Sequence, residues 1–436
     1  MQTRPEAPPA EAPEPLVSIR GLKTYYTIRG SYVDRLVGRE AGLVKAVDDV
    51  SLDLTKGEVL GLVGESGSGK TTLGRTLLGL VSATAGSVVF EGHDITKLRE
   101  PELRELRRRL QVVFQDPHAS LNPAMTIGQS VGDPLRIQGI TRSRAEIRSR
   151  VAEVLERVGL APAEQFMEKY PGDLSGGQKQ RAVIARALIL APVLLVADEP
   201  VSMLDMSVRA KILELLLDLK RDFDLTYLYI THDLATAKFF CDRIAIMYLG
   251  RIVEMGPSHE IYANPKHPYT QALLRAIPEP DPRRSVPRDL PRGEVPDAAR
   301  PPLGCSFHPR CPRAFAVCGW EARDLRELLE ARWAQAGEER YEAERALVGD
   351  LAVLETSATL VRIPGGRGRD VGELLTMLES VRTEDPEEPF WRGVRRLEAG
   401  RDHVEIEFHE SRAPRPLPVG EVEVECHLYD PDVAAT

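Results

Sequence analysis

Residues 64–71 read Gly64-Glu65-Ser66-Gly67-Ser68-Gly69-Lys70-Thr71 and directly follow the apolar run Val59–Val63. Glycines at this spacing let successive backbone N–H groups turn inward around phosphate oxygens. Lys70 is expected to reach the β- and γ-phosphates of a nucleotide, and the Thr71 hydroxyl is expected to ligate Mg²⁺. A helix that begins here adds the positive end of its dipole. The stretch therefore predicts a nucleoside triphosphate site formed by residues 64–71 and Thr72.

Composition and charge limit the kind of protein that this chain can be. The 436 residues are 42% hydrophobic and 6% aromatic, which is ordinary for a globular protein with two or three domains. The net charge of −9 argues against nucleic acid as the main partner, because binding a polyanion usually requires a basic face. We interpret one local basic run as a solvated helix face: Arg104, Arg107, Arg108 and Arg109.

Neither the N-terminal residues nor the longest apolar run has the pattern of a targeting signal or a membrane span. Residues 1–15 are rich in Pro, Ala and Glu without an apolar stretch, so we expect a disordered tail and not a secretory signal. The longest apolar run, residues 187–197, contains Pro192 and is shorter than the roughly 20 residues that a membrane span requires. We therefore expect a cytoplasmic protein that depends on other chains for any membrane role.

Apolar runs alternate with helical patterns between residues 16 and 275, which predicts an α/β fold with a mostly parallel sheet covered by helices. The predicted strands are residues 60–63, 111–114, 193–197, 227–230 and 244–247. Helical spacing of apolar residues from about 118 to 173 predicts a helical subdomain within this α/β domain. Pro and Arg crowd residues 278–303, which indicates a linker to a separate C-terminal region.

Two further groups of polar residues follow the phosphate-binding loop. Asp198 leaves an apolar strand where a carboxylate can reach the Mg²⁺ of a bound nucleotide, and the adjacent Glu199 can polarise an attacking water. Residues 174–178, Leu-Ser-Gly-Gly-Gln, precede a helical run, so Ser175 and the glycine N–H groups form a second anion-binding helix start. One chain thus carries two phosphate-binding elements.

The order of these motifs resembles the ATP-binding cassette (ABC) ATPase family. The residues that carry the resemblance are the phosphate-binding loop, Phe114-Gln115-Asp116-Pro117, Leu174-Ser175-Gly176-Gly177-Gln178, Leu195-Val196-Ala197-Asp198-Glu199-Pro200, Ser202-Met203-Leu204-Asp205 and Thr231-His232-Asp233. The resemblance covers residues 16–275 and implies a P-loop NTPase fold, an ABC cassette with a RecA-like core plus the helical subdomain. It also implies ATP hydrolysis.

In this family ATP lies between two cassettes, which explains the two anion-binding elements. The resemblance implies that the nucleotide of a second cassette contacts Ser175, Gly176, Gly177 and Gln178, and that Asp205 links the two cassettes. The implied catalytic residues are Glu199, His232 and Gln115, and the implied Mg²⁺ ligands are Thr71, Gln115 and Asp198. An aromatic residue near the N-terminus should stack on adenine, and Tyr26 fits that position better than Tyr25.

Three segments are similar to ATPase subunits of dipeptide and oligopeptide importers: residues 114–123, 265–274 and 304–312. The resemblance implies a peripheral subunit at the cytoplasmic face of the cell membrane that energises peptide uptake. Its partners would be a second ABC ATPase subunit, identical or related, two transmembrane permease subunits and, indirectly, an extracytoplasmic solute-binding protein. A soluble ABC ATPase in DNA repair or translation is the alternative.

Four of the five cysteines lie in or after a C-terminal extension predicted at residues 276–320: Cys305, Cys311, Cys318 and Cys426. Disulfides are disfavoured in the cytosol, so grouped thiols suggest a metal or free cysteines. Peptide-importer relatives are thought to hold a [4Fe–4S] cluster through such thiolates, and Cys426-His427-Leu428 matches their last cysteine segment. Zinc and no metal are the alternatives, and a third hypothesis makes this tail a redox or metal sensor. We expect Cys241 to be an isolated buried thiol.

The residues between Cys318 and Cys426, which we name the linking segment (residues 319–425), are more numerous than in relatives. Residues 321–436 are therefore interpreted as an atypical C-terminal insert that ends in the Cys426 segment. A helical pattern around residues 325–347 and a strand pattern at 403–408 predict an additional small domain. The sequence does not indicate its role.

Overall fold

A computed structural model describes residues 14–28, 42–277, 293–351, 354–357, 359–365 and 370–434, and the chain divides into two compact units between Ile252 and Val253. Most of the predicted N-terminal tail and more than half of the predicted linker, residues 1–13 and 278–292, lie outside the described residues. Among the described residues, no helix has both the length and the apolar character needed to cross a bilayer.

The first unit alternates strands and helices along the chain. In order these are β1 (Val17–Thr27), β2 (Leu43–Leu54), β3 (Val59–Val63), α1 (Lys70–Leu77), β4 (Ala85–Phe90), β5 (His93–Asp94), α2 (Glu100–Leu106), β6 (Leu110–Val113), α3 (Pro117–Ser120), α4 (Ile127–Ile137), α5 (Arg144–Arg157), α6 (Ala163–Met167), α7 (Gly176–Leu188), β7 (Leu194–Asp198), α8 (Met206–Phe223), β8 (Thr226–Thr231), α9 (Leu234–Phe240) and β9 (Arg243–Tyr248).

A parallel sheet in the order β9-β3-β8-β7-β6 forms the centre of this unit. Every residue of β3, β7 and β8 is buried, which is why these strands read as continuous apolar runs and not as alternating ones. All five predicted strands are present, with ends within one residue of the prediction. An antiparallel sheet, β2-β1-β4-β5, accompanies it.

Residues 117–167 contain helices α3 to α6 and no strand among the described elements. The apolar face that predicted helix here is the buried face of α5, formed by Ile147, Val151, Val154 and Leu155. The interpretation of the nearby arginines as a solvated helix face fits Arg104, which is exposed on α2, but not Arg107 and Arg108, which are partly buried beyond its end. Helix α2 ends before Arg107, and the guanidinium groups of Arg104 and Arg108 donate to the carbonyls of Ile137 (2.5 Å) and Gln138 (2.6 Å) at the C-terminus of α4. Cations are stabilising at that helix end.

Strand β10 (Arg251–Pro257) crosses the division, and the second unit continues from it. Its elements are α10 (Ser258–Ala263), α11 (Pro268–Arg275), α12 (Ala322–Trp333), α13 (Glu338–Val348), β11 (Glu355–Ser357), β12 (Leu360–Pro364), α14 (Val371–Glu384), α15 (Phe390–Gly393), β13 (Val394–Ala399), β14 (His403–Phe408), β15 (Pro416–Val419), β16 (Val422–Glu425) and α16 (Pro431–Ala434). The helical pattern predicted at residues 325–347 is two helices, and the strand predicted at residues 403–408 is β14.

The linking segment builds its own layer within the second unit. Its antiparallel sheet has the order β11-β12-β14-β13. Along β14 the side chains of Val404, Ile406 and Phe408 are buried and alternate with polar ones, as one-sided burial requires. The buried side chains share a core with residues of α12 and α14, among them Leu329 and Leu378. Separately, β16 pairs with both β10 and β15.

Candidate functional site

The phosphate-binding loop is shaped by close backbone contacts that only glycine allows. Gly69 has φ +103°, and a Cβ there would lie 1.9 Å from the carbonyl oxygen of Ala46. A Cβ on Gly64 would lie 2.1 Å from the carbonyl oxygen of Met247. The buried Lys70 ammonium donates to the carbonyls of Gly64 and Glu65, both at 2.8 Å. The loop therefore holds its lysine at a defined place between a buried strand and helix α1.

Thr71 and Asp198 meet at the carboxyl end of the parallel sheet. The Thr71 hydroxyl donates to the Asp198 carboxylate at 3.1 Å. Burial raises the pKa of Asp198, and the neighbouring charge of Glu199 raises it further, while Thr71 opposes the shift. A hydroxyl and a carboxylate are hard oxygen ligands of the kind that Mg²⁺ prefers. The two residues thus fit the magnesium site that the sequence predicts.

Two of the three predicted catalytic residues, Gln115 and His232, contact the carboxylate of the third, Glu199. Glu199 Oε2 accepts a hydrogen bond from Gln115 Nε2 at 3.1 Å, and Glu199 Oε1 lies 3.0 Å from His232 Nδ1. The backbone of Glu199 is left-handed, with φ +48°, a conformation that costs about 1–3 kcal/mol in a non-glycine residue and is found disproportionately at functional sites. Its N–H is fixed by the carbonyl of Ile230 at 2.9 Å. The strained turn directs the carboxylate towards residues from two other loops.

A cavity of about 630 Å³ opens beside these groups and is lined in part by Thr71, Gln115 and Asp198. Arg75 also lines it and lowers the pKa of Asp198 electrostatically. Sequence reasoning missed Arg75, although its position four residues after Thr71 on helix α1 puts both residues on one face. Arg75 is therefore a further cation available to an anionic ligand.

Both predicted contacts to a second cassette are helix caps at the surface. Ser175 and Gln178 form a capping box at the start of α7, with the Gln178 side chain accepting from the Ser175 N–H at 3.0 Å. Ser175 and Gly176 are exposed. Asp205 caps α8 by accepting from the Val208 N–H at 3.0 Å, and hydrogen bonds of this kind, led by that from Ser207, lower its pKa. These groups are accessible to another chain.

The two candidate adenine-stacking residues differ in their contacts. The Tyr25 hydroxyl donates a short hydrogen bond to the Asp48 carboxylate, and burial together with this bond raises the pKa of Tyr25. Tyr26 exposes 42% of its surface. An aromatic ring must be accessible to stack on a base, so the geometry favours Tyr26, as the sequence does.

The four C-terminal cysteines lie near one another in the second unit, and burial raises the pKa of each thiol, to about 12 for Cys311 and about 11 for Cys318. Each sulfur accepts a backbone N–H; the pairs are Phe307 to Cys305, Arg313 to Cys311, Phe315 to Cys318 and Leu428 to Cys426. Cys241 is buried in the first unit, as predicted.

The spacing of the sulfurs bears on which metal they suit. Among the described residues, the one group of three His, Cys, Asp or Glu ligand atoms within 4.8 Å of one another is His259, Glu260 and Glu421. No three of the cysteine sulfurs are therefore that close. A tetrahedral zinc site with Zn–S bonds of about 2.3 Å needs sulfurs about 3.8 Å apart, so zinc would require them to move together. Four N–H-bonded thiols are a suitable donor set for the larger iron–sulfur clusters.

Comparisons with known proteins agree with the motifs. The family described as "ABC transporter" matches residues 47–202, and "Oligopeptide/dipeptide transporter, C-terminal region" matches residues 253–318. A Brucella ovis protein named a peptide import ATP-binding protein is 48% identical over 314 residues, 72% of this chain and 95% of that protein. Oligopeptide transport ATP-binding protein AppF of Bacillus subtilis is 46% identical over 323 residues, 73% of this chain and 96% of AppF. A solved dimeric ATP-binding cassette in a post-hydrolysis state with ADP and Pi is 30% identical, covers 56% of this chain and 98% of its own, and has a TM-score of 0.48.

Proposed function

We propose that this chain hydrolyses ATP to energise peptide uptake through separate membrane subunits. The premise is that the chain belongs to the ABC transporter ATP-binding family, in its oligopeptide and dipeptide branch. The observation that carries the proposal is the placement of Glu199 between Gln115 and His232, beside the Thr71–Asp198 pair. The relatives reported above are named as ATP-binding proteins of peptide import and oligopeptide transport, so the alternative in DNA repair or translation gains no support.

Hydrolysis requires a water to attack the γ-phosphorus while the bond to the β–γ bridging oxygen breaks. In this proposal Glu199 orients the water and accepts its proton, and His232 donates to the γ-phosphate. Lys70 balances the charge on the β- and γ-phosphates. Mg²⁺ held by Thr71, Gln115 and Asp198 would neutralise charge on the same oxygens.

A second cassette, identical or related, completes each site in this proposal. Ser175 and Asp205 support it because both cap helices at the surface, where the nucleotide of a partner can be reached. Pairing on ATP and separation after hydrolysis would transmit motion to two transmembrane permease subunits. The chain would then work as a peripheral subunit at the cytoplasmic face, with an extracytoplasmic solute-binding protein acting indirectly.

We extend the proposal to a [4Fe–4S] cluster on the four C-terminal cysteines. The support is the donor set, four thiols in two buried and two partly buried residues, each of which accepts a backbone N–H. A bound cluster of this type supplies a one-electron carrier and a rigid cross-link. Because burial raises the pKa of the thiols, loading must release protons and should weaken as pH falls. Visible absorbance that bleaches on reduction, in anaerobically purified protein, tests the cluster.

A pair of variants tests the catalytic assignment. Glu199→Gln should lower steady-state phosphate release by at least about 100-fold yet retain ATP binding, so that ATP drives stable pairing on gel filtration with light scattering. Lys70→Ala should lose hydrolysis, bind ATP weakly and stay unpaired. Glu91→Gln, which removes only the contact with Arg109, is the matched control and should behave like the wild type. Normal turnover by Glu199→Gln would contradict the assignment.

The transport assignment needs the complete assembly. The chain is co-expressed with its membrane subunits and binding protein, and ATP hydrolysis is measured in proteoliposomes. Peptides should stimulate hydrolysis and enter the vesicles, whereas sugars should do neither. Stimulation by sugar alone would contradict the substrate class but leave the ATPase assignment intact.

A further inference from the structure

The linking segment begins directly after Cys318 and ends directly before Cys426, so its two ends leave from two of the four clustered thiols. Its core continues into the cysteine loops. Cys318, only 6% exposed, belongs to the same buried cluster as Trp320, Leu329 and Ile406. Cys311 and Phe315 pack against that cluster. The apolar wall on one side of the thiols is therefore provided by the linking segment.

Polar contacts join the same two parts. The Trp320 indole N–H donates to the Phe315 carbonyl at 2.8 Å, within the loop that carries Cys311 and Cys318. Near the other end of the segment, the Arg412 N–H donates to the Val317 carbonyl at 3.0 Å, and the Arg412 carbonyl lies 2.9 Å from His427 Nε2. Arg412 thus connects the loop before Cys318 with the residue after Cys426.

The backbones at this junction are close enough to exclude side chains. A Cβ on Gly304 would lie 2.5 Å from the Cys318 carbonyl oxygen and 2.9 Å from that of Arg412. A Cβ on Gly319 would lie 2.1 Å from the Leu303 carbonyl oxygen. Both glycines have positive φ, +64° and +114°, so their conformations also disfavour other residues. At Gly304 and Gly319 there is therefore no room for a side chain between the cysteine loops and the linking segment.

We infer that the linking segment is a solvent cover for the buried side of the four-thiol site, and that reagents reach Cys318 and Cys426, its two buried cysteines, only when the segment opens locally. The shared core explains this requirement, because separating the segment from Cys318 exposes Trp320 and its apolar neighbours to water. The inference concerns the thiols themselves. It goes beyond the proposed function and holds whichever group, if any, the thiols bind.

Thiol accessibility in the full-length, reduced and metal-free protein tests the inference. Iodoacetamide is added, and the alkylation rate of each cysteine is followed by mass spectrometry. Ile406→Val removes one methyl group from the core of the segment and should speed alkylation of Cys318 and Cys426 about three- to tenfold by favouring the open state. Cys241, buried in the first unit, is an internal reference and should react at its wild-type rate.

Ile244→Val is the matched control in the first unit, since Ile244 is also fully buried and lies beside Gly61, which adjoins Cys241. It should speed alkylation of Cys241 and leave the other four rates unchanged. Wild-type rates at Cys318 and Cys426 in Ile406→Val would overturn the inference. So would a parallel rise at Cys241 in that variant, because the opening would then involve the whole chain. ATP hydrolysis measured on the same samples reports separately on the proposed function.

Discussion

Two largely buried glutamates, one in each unit, show how the charge of the neighbouring side chains differs between the carboxylate that we propose to be catalytic and a structural one. The Glu199 side chain is 17% exposed and contacts an amide and an imidazole, Gln115 and His232. The Glu344 side chain is 9% exposed and is held by the guanidinium groups of Arg332 and Arg340. Both side chains are mostly buried, but of the two carboxylates only that of Glu344 forms ion pairs with guanidinium groups. A carboxylate that accepts a proton in catalysis needs neighbours without a fixed positive charge. A carboxylate that stabilises the fold is better held by guanidinium groups.

The electrostatics of the second carboxylate agree with a structural role. Burial alone would raise the pKa of Glu344, yet hydrogen bonds from Arg332 and Arg340 keep it below its ordinary value. The same two arginines lower the pKa of Glu384 to about 2. Trp333 also donates its indole N–H to Glu344 at 3.0 Å. Helices α12, α13 and α14 are therefore joined by a charge network whose ionisation is fixed over the physiological range.

The largest expected effect is at the reactive carboxylate. His232→Ala removes the imidazole that lies 3.0 Å from Glu199 and should lower ATP turnover about 100- to 1,000-fold with little change in thermal stability. Steady-state phosphate release and a melting curve measure the two quantities. His259→Ala, an exposed histidine of the second unit, is the control and should retain full turnover. If His232→Ala lost enough thermal stability to explain its lost turnover, the contact with Glu199 would be structural, as the contacts of Glu344 are, and the comparison would fail.

The next effect is on stability at the structural carboxylate. Glu344→Ala leaves Arg332, Arg340 and the Trp333 indole short of an acceptor and should lower the free energy of unfolding of the second unit by about 2–4 kcal/mol. All three tryptophans of the chain lie in the linking segment, so their fluorescence during urea unfolding reports on it directly. ATP turnover before unfolding should stay unchanged.

Glu387→Ala is the matched control for this measurement. Its carboxylate contacts Arg392 at 3.4 Å on the exposed surface, where such a pair contributes little. The urea midpoint should therefore be that of the wild type. Equal losses in the free energy of unfolding in both variants would show that burial and the hydrogen-bond network at Glu344 do not contribute to stability.

The same contrast explains how much the sequence could predict. The nucleotide site is encoded by short motifs whose residue types and spacing carry their chemistry, so the amino-acid sequence alone could predict that Thr71 and Asp198 lie together. The Arg332–Glu384 contact joins residues in separate helices, and no local pattern signals it. The interpretation of Arg108 failed for the same reason, because its acceptor at Gln138 lies at the end of another helix. Strands were predictable where burial on both faces makes them uniformly apolar.

A third, intermediate effect depends on pH and concerns His267, a buried histidine whose Nε2 has no hydrogen-bond partner among the described residues. Burial lowers the pKa of His267 to about 3, and its Nδ1 accepts the Tyr269 N–H at 3.1 Å at the start of α11. The unfolded chain binds this proton near pH 6.5 and the folded chain near 3, so stability is full above 6.5 and falls as pH drops. The loss should be about 2 kcal/mol at pH 5.

Urea unfolding followed by tryptophan fluorescence at pH 7 and pH 5 measures the effect. His267→Asn is the comparison variant, because asparagine also caps a helix N-terminus but does not titrate in this range. Its midpoint should depend less on pH than that of the wild type, by about 2 kcal/mol between the two conditions. The same pH dependence in both proteins would exclude His267 as the source.

The smallest effect sharpens the comparison at the edge of the nucleotide site, where one tyrosine is accessible and its neighbour is bonded. Tyr26→Ala should weaken ATP binding about tenfold, since stacking of a base on an aromatic ring is worth roughly 1–3 kcal/mol. Tyr26→Phe keeps the ring and should bind normally. Tyr25→Phe breaks the hydrogen bond to Asp48 and should leave affinity unchanged. Isothermal titration with a non-hydrolysable ATP analogue measures all three. A loss at Tyr25→Phe with none at Tyr26→Ala would reverse the assignment and show that the bonded ring, not the exposed one, determines affinity.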